Sequence, residues 1–212
     1  MNYGPFTATG AIKAGWQLAK KNWIILIGII LGYVIISCLV SFLLSSSQWL
    51  NQLVSIVIGA VFGAGYAKMC LDANDETELT FSSFTEGVKS TVPYFVANLL
   101  CGIMAMVGFC LFVIPGLWVM ARFGLASYIA VDRPELGGVG ALKESFRLTK
   151  GNDIPMIGLI FLELLVVVVG LICLLVGAFY AAVVCTLASV AAYRMLSYGS
   201  YDAGDATIVK QQ

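Results

Sequence analysis

Two charged side chains lie deep inside apolar segments of this sequence. Arg122 sits in Trp118-Val119-Met120-Ala121-Arg122-Phe123-Gly124, and Glu163 in Ile160-Phe161-Leu162-Glu163-Leu164-Leu165. A charge at the centre of a bilayer is costly, so it faces the bundle interior and finds a partner. Arg122 precedes Asp132 by ten residues, and Glu163 follows Asp153 by ten. At a rise of about 1.5 Å per residue, each charge is ~15 Å from the same end of its helix. Antiparallel neighbours would bring the two to one level, so the spacing predicts an intramembrane ion pair of Arg122 with Glu163. Its chemistry is that of a structural clamp or that of a proton- or substrate-linked site. One acid and one base, with no chain of further acids to form a relay, point to the clamp.

The other chemistry-bearing residues exclude more than they suggest. Histidine is absent, which removes the commonest metal ligand and general base. The six cysteines (Cys38, Cys70, Cys101, Cys110, Cys173 and Cys185) are scattered singly along apolar segments, with no C-x-x-C pair. They read as small apolar fillers of helix packing, not as a disulfide framework. Ser45-Ser46-Ser47 has no histidine to activate it. No nucleotide-binding glycine loop, zinc-binding helix or nucleophile elbow is present. No basic tail with interleaved aromatics supports nucleic-acid binding. The expectation is a protein that is not an enzyme, with no catalytic, cofactor-binding or metal-binding residues and no cofactor.

The elements that must hold Arg122 and Glu163 are membrane spans. The chain of 212 residues is 60% apolar and 11% charged, whereas a soluble domain is nearer a quarter charged. Crossing a hydrocarbon core of ~30 Å takes about 20 apolar residues. Six stretches qualify: about 23–44, 51–69, 93–112, 115–131, 154–175 and 178–198. They leave no room for a separate soluble domain, so residues 1–212 read as one all-α membrane domain. The first apolar run is longer than a signal-peptide core of about 7–15 residues and reads as a retained span. Pro115-Gly116 reads as a hairpin turn between the third and fourth spans, proline suiting a first helical turn and glycine a tight one. Gly28/Gly32 and Gly59/Gly63 form G-x-x-x-G pairs in the first two spans, where small residues let backbones approach. Packing within one chain is the reading preferred to a dimer interface.

Charge gives the orientation. Lys13, Lys20 and Lys21 precede the first span. Lys68 and Lys89 border the second connection, Arg133, Lys143, Arg147 and Lys150 lie in the fourth, and Arg194 and Lys210 come near the end. The odd-numbered connections carry no charge at all. Lysine and arginine resist translocation, so both termini are expected in the cytoplasm. The chain also repeats itself. Gly10–Asn22 and Gly140–Asn152 match at an offset of 130 residues in Gly, Ala, Lys, Leu, Lys and Asn, with Trp16 against Phe146. A weaker copy covers Phe81–Lys89. Each copy puts an apolar stripe beside a polar one, the pattern of a helix lying in the headgroup layer. The expected architecture is three hairpin units, each preceded by an amphipathic interfacial helix at about 8–21, 80–91 and 138–150. Lys13, Lys20, Lys143, Arg147 and Lys150 are the candidate contacts to anionic lipid.

Ile114-Pro115-Gly116, then Arg122, then Ala141-Leu142-x-x-Ser145-x-x-Leu148-x-Lys150-Gly151 resembles a group of bacterial six-span proteins. The group includes the YciC-like inner-membrane proteins and the membrane domain fused to some glycerophosphodiester phosphodiesterases. The resemblance implies a helical protein of the bacterial cytoplasmic (inner) membrane. It implies no catalytic site, because the phosphodiesterase chemistry belongs to a soluble domain. The expected role is a non-enzymatic accessory, scaffold or lipid-associated subunit. Its partners would be anionic membrane lipids and a partner membrane protein or further copies of itself, with no nucleic acid. The alternative is a small transporter or channel with a site near Arg122 and Glu163.

Overall fold

The computed structural model describes residues 6–209, apart from Ser46 and Cys173. Cys173 and Lys210, named above, lie outside the described residues. The helices are α1 (Ala8–Leu43), α2 (Gln48–Asn74), α3 (Phe81–Lys89), α4 (Thr91–Leu111), α5 (Val113–Phe123), α6 (Ala126–Asp132), α7 (Gly137–Thr149), α8 (Asp153–Ile172) and α9 (Leu174–Val209). A short 3-10 turn, Pro134–Leu136, leads into α7. No strand occurs among the described residues. Six helical segments are long and apolar enough to cross a membrane, with α5 and α6 together making the fourth. The chain is an all-α, multi-pass membrane protein, as its composition predicts.

Sequence decides where the helices break. Thr7 caps α1, its hydroxyl accepting from the Gly10 N–H at 3.2 Å, which satisfies one of the orphan donors of a helix start. The α4–α5 hairpin turns on a single extended residue, Phe112 (φ −169°, ψ 164°). Pro115 and Gly116 are therefore not the turn but the first turn of α5. Proline fits there for the reason given above. Gly116 serves the close approach of the two helices: a Cβ on it would lie 2.4 Å from the Phe109 ring, and one on Gly108 would lie 3.0 Å from the Gly116 Cα.

Of the expected interfacial helices, α3 and α7 are separate elements, but residues 8–21 are not. They run without a break into the first span as one helix of 36 residues, about 54 Å long. The aligned segments show why. After α7 the chain turns at Gly151, whose φ of +87° suits glycine. The matching position after the first segment is Lys21, which has no such freedom, and the helix continues.

The amphipathic segments dock by small residues. Ala11, Gly15, Leu18 and Ala19 are buried in α1, and Ala141, Ser145, Leu148 and Thr149 in α7. These are the same positions 130 residues apart. In α3 it is Ser83 and Gly87 that are buried. The first half of α1 lies along α9, α3 packs on α2, and α7 packs mainly on α4 and α6. The core is concentrated in the second half of α2, in α6 and in α9, where Val183, Leu187, Val190 and Tyr193 are fully buried. Away from it the helices separate, and large apolar side chains such as Phe42, Trp49, Leu53 and Ile114 are exposed, as suits a surface bathed by lipid.

The glycine pairs part company. Gly63 meets Tyr94 and Gly59 faces Tyr33, but a Cβ on Gly28 or Gly32 would meet nothing within 4 Å. Packing within the chain therefore accounts for the second pair and not for the first. Gly15 is the tightest contact of α1 with α9: a Cβ there would lie 2.7 Å from the Ala188 backbone nitrogen and 2.8 Å from the Val184 carbonyl oxygen. Backbone cannot move aside as a flexible side chain can. Gly15→Ala should destabilise the fold by about 1–3 kcal/mol, the usual range for overpacking. Gly28→Ala and Gly32→Ala should leave it unchanged or slightly more stable. Thermal unfolding in mild detergent measures the three side by side.

Candidate functional site

Arg122 is the centre of the most connected polar site. Its side chain is about one-tenth exposed; Nε lies 2.6 Å from Asp153 Oδ1, and Nη2 donates to Asp153 Oδ2 at 2.8 Å. Of the two contacts only the Nη2–Oδ2 one has hydrogen-bond geometry, and Nε and Oδ1 face each other as an ion pair. The guanidinium also lies 4.9 Å from the Phe146 ring centroid and 5.4 Å from that of Trp118, within cation–π reach. Phe146 in turn packs on Phe123 at 5.9 Å. α5 ends one residue later, so the Arg122 carbonyl is one of the orphan acceptors of a helix terminus. The Ser145 hydroxyl donates to it at 2.8 Å; that of Thr149 lies 3.3 Å away and has its shorter bond, 2.8 Å, to the Ser145 carbonyl. One residue thus joins α5, α7 and α8.

The predicted pair of Arg122 with Glu163 does not form. Measuring depth from Asp132 and Asp153 assumed that those two acids lie at one level. Asp153 instead stands beside Arg122, so α8 begins where Arg122 is, and Glu163 is a further ~15 Å along α8. Glu163 is engaged by α9: Ser189 Oγ donates to its Oε1 at 2.6 Å, and the Cys185 thiol donates to its backbone carbonyl at 3.5 Å. Tyr128 of α6 lies against the same Ser189. No lysine or arginine forms an ion pair with Glu163 among the described residues.

A second ionic site had no counterpart in the sequence reading. Arg194 of α9 donates to Asp132 at 2.9 and 3.0 Å and also binds Asp75, while the Tyr193 hydroxyl donates to Asp132 at 2.6 Å. It ties the ends of α2 and α6 to α9. Burial holds the Asp75 carboxyl above its ordinary range, with Arg194 pulling the other way. The partners are 62 and 119 residues apart in the chain, and no spacing rule connects them. The one available signal was that Arg194 lies in an apolar run and so needs a partner. Nearer the surface, Lys68 bonds Asp72 at 2.6 Å, one helical turn on.

The candidate lipid contacts divide. Lys13, Lys20, Lys143 and Lys150 are exposed and form no ion pair among the described residues. Arg147 is taken by Glu144, with Nε at 2.8 Å and Nη2 at 2.7 Å from its two oxygens. The Arg147 guanidinium holds the Glu144 carboxyl below the usual carboxylate range. Trp16 and Tyr180 pack edge to face at 5.3 Å, between α1 and α9, and the Lys20 ammonium lies 5.9 Å from the centre of the indole.

Hollows among the described residues are mostly apolar and lie between helices. One of about 230 Å³ separates α1 from α2, lined by Ile29, Tyr33, Phe62 and Tyr66 among others. Two more, of about 260 and 440 Å³, lie along α1 and α8 and share Trp16. No family model, curated protein or solved structure matches the chain.

The Arg122 geometry makes a double-mutant cycle decisive. Arg122→Leu and Asp153→Asn should each destabilise, and together they should cost less than their sum by roughly 0.5–3 kcal/mol, the range for contacting residues. Asp153 is a third exposed, so solvent screening favours the lower part of that range. Arg122→Leu with Glu163→Gln should be additive. Denaturation of the purified variants in detergent gives both couplings, and coupling to Glu163 instead would show that the pairing is wrong.

Proposed function

We propose that the protein is a non-enzymatic subunit of the bacterial inner membrane that acts as an accessory, scaffold or lipid-associated module. The observation that carries this reading is the direction of its polar and apolar groups. The arginines of the spans are spent on acids of other helices and their ends: Arg122 on Asp153, and Arg194 on Asp132 and Asp75. The hollows between helices are lined mainly by apolar side chains. That combination offers hydrocarbon chains or apolar partner helices more than it offers a polar solute. The resemblance to YciC-like proteins supports a bacterial inner-membrane location. The excess of lysine and arginine on one set of connections supports cytoplasmic termini. The matching buried positions of α1 and α7 support an origin of the chain by duplication of one helical unit.

Glu163 supports a second reading, a small transporter. It is an intramembrane carboxyl without a cation beside it, and such groups mark ion or proton pathways. Against this, its oxygen is already held by Ser189, and the spans supply no series of acids on either side of it.

Purification in mild detergent, followed by mass spectrometry of the lipids and proteins that remain bound, separates the readings. Stoichiometric retention of anionic phospholipid or of a partner protein is expected. A delipidated protein that binds neither, and that conducts protons in vesicles until Glu163→Gln stops it, would favour transport. Orientation is checked by single cysteines at Ser45 and Lys143 in a background without the native thiols. In intact cells an impermeant maleimide should label Ser45→Cys and not Lys143→Cys.

A further inference from the structure

Lys13, Trp16 and Lys20 stand at positions i, i+3 and i+7 of α1, so the three side chains share one stripe of the helix. Lys13 and Trp16 line the 440 Å³ hollow with Thr9, Ile12 and Leu162. Trp16 also lines the 260 Å³ hollow, whose remaining wall comes from α8 and α9, including Val166, Val169, Gly170 and Tyr180. The indole therefore borders both, and the two hollows together are termed the furrow along α1, α8 and α9. The furrow stays narrow at its far end because α8 and α9 touch there: a Cβ on Gly170 would lie 2.6 Å from that of Ala181. Lys20 places its ammonium 5.9 Å from the centre of the indole.

We propose that this furrow is a binding site for one anionic phospholipid, with the phosphate held between Lys13 and Lys20 over Trp16 and an acyl chain lying against Val166, Val169 and Gly170. The proposal rests on the lipid-associated reading and assigns it a place. Charge complementarity selects the occupant. A free anion would neutralise the two ammonium groups and leave the apolar furrow empty. An uncharged chain would fill the furrow and leave two cations beside hydrocarbon. A single amphiphile with a phosphate at one end meets both demands. The basic face of α7 is the weaker competitor, because Arg147 is already paired with Glu144 and that carboxylate repels a phosphate.

The test is native mass spectrometry of the full chain in mild detergent with added phosphatidylglycerol, phosphatidylcholine or inorganic phosphate. Wild-type protein should retain one phosphatidylglycerol in preference to phosphatidylcholine, and millimolar phosphate should not displace it. Lys13→Gln with Lys20→Gln should weaken that retention roughly 30-fold, two basic contributions of about 1 kcal/mol each. Val169→Trp leaves the lysines intact and fills the furrow from a half-exposed position; it should weaken retention as well. Lys143→Gln with Lys150→Gln should change little. Each variant is compared only if its elution profile and unfolding temperature match wild type. Loss of lipid in the α7 variant and not in the α1 variant would overturn this site and leave the lipid reading standing. Displacement by phosphate alone, or retention by Val169→Trp, would overturn the phospholipid as occupant. Equal retention of both lipids by wild type and all variants would overturn the anionic-lipid reading itself.

Discussion

A cation inside a helical bundle has to be answered by groups that the same chain supplies, and Arg122 shows how much structure that demand recruits. The guanidinium takes the first residue of α8 as its carboxylate. It takes an aromatic ring from its own helix and one from α7. The carbonyl of the same residue takes the Ser145 hydroxyl from α7. The loop between α7 and α8 is thereby pinned at both ends. α7, an amphipathic helix too short to be stable alone, is fixed by its small-residue face on one side and by this polar contact at its last turn. Removing the arginine side chain would strand the Asp153 carboxylate, while the backbone carbonyl that Ser145 bonds would remain.

A second ionic knot, Arg194 with Asp132 and Asp75, does the same for α2, α6 and α9. Elsewhere the helices meet closely at small residues, such as Gly15 on Ala188, Gly87 on Ala64 and Gly138 on Val96 and Ala97. Lipid tails are as apolar as leucine, so helix association in a bilayer gains little from hydrophobic burial and relies on close packing and polar contacts. Both are found in the part of the bundle that holds the ionic groups. α1 beyond Ile27 and the first half of α2 have little of either, and there the helices part and the apolar side chains face outward.

Much of this was legible in the sequence. Apolar run length located the six spans, because the thickness of hydrocarbon imposes it. The amphipathic patterns at about 80–91 and 138–150 marked α3 (Phe81–Lys89) and α7 (Gly137–Thr149). Arg122 was recognisable as a residue that must be paired. Its partner was not, because the choice between Asp153 and Glu163 depends on where α8 begins relative to the bend between Phe123 and Ala126. The helix ends there at Gly124, where a Cβ would lie 2.6 Å from the Met120 carbonyl oxygen. The continuity of α1 goes with lysine at position 21 where the repeated segment has glycine at 151, one of several positions at which the two segments differ. The Arg194 knot depends on tertiary proximity alone. The furrow beside Trp16 arises between three helices, and no single segment encodes it.

The turns at the end of the bundle away from the ionic knots are very short. α4 and α5 are joined by Phe112 alone, and α1 and α2 by the few residues from Leu44 to Ser47. A soluble protein arriving from that compartment would find almost no polypeptide to grip, and a protease or an antibody would fare no better. Recognition from that direction is left to molecules already dissolved in the bilayer. Among the described residues, most of what a binding partner or a modifying enzyme could read from the aqueous phase lies on the opposite face.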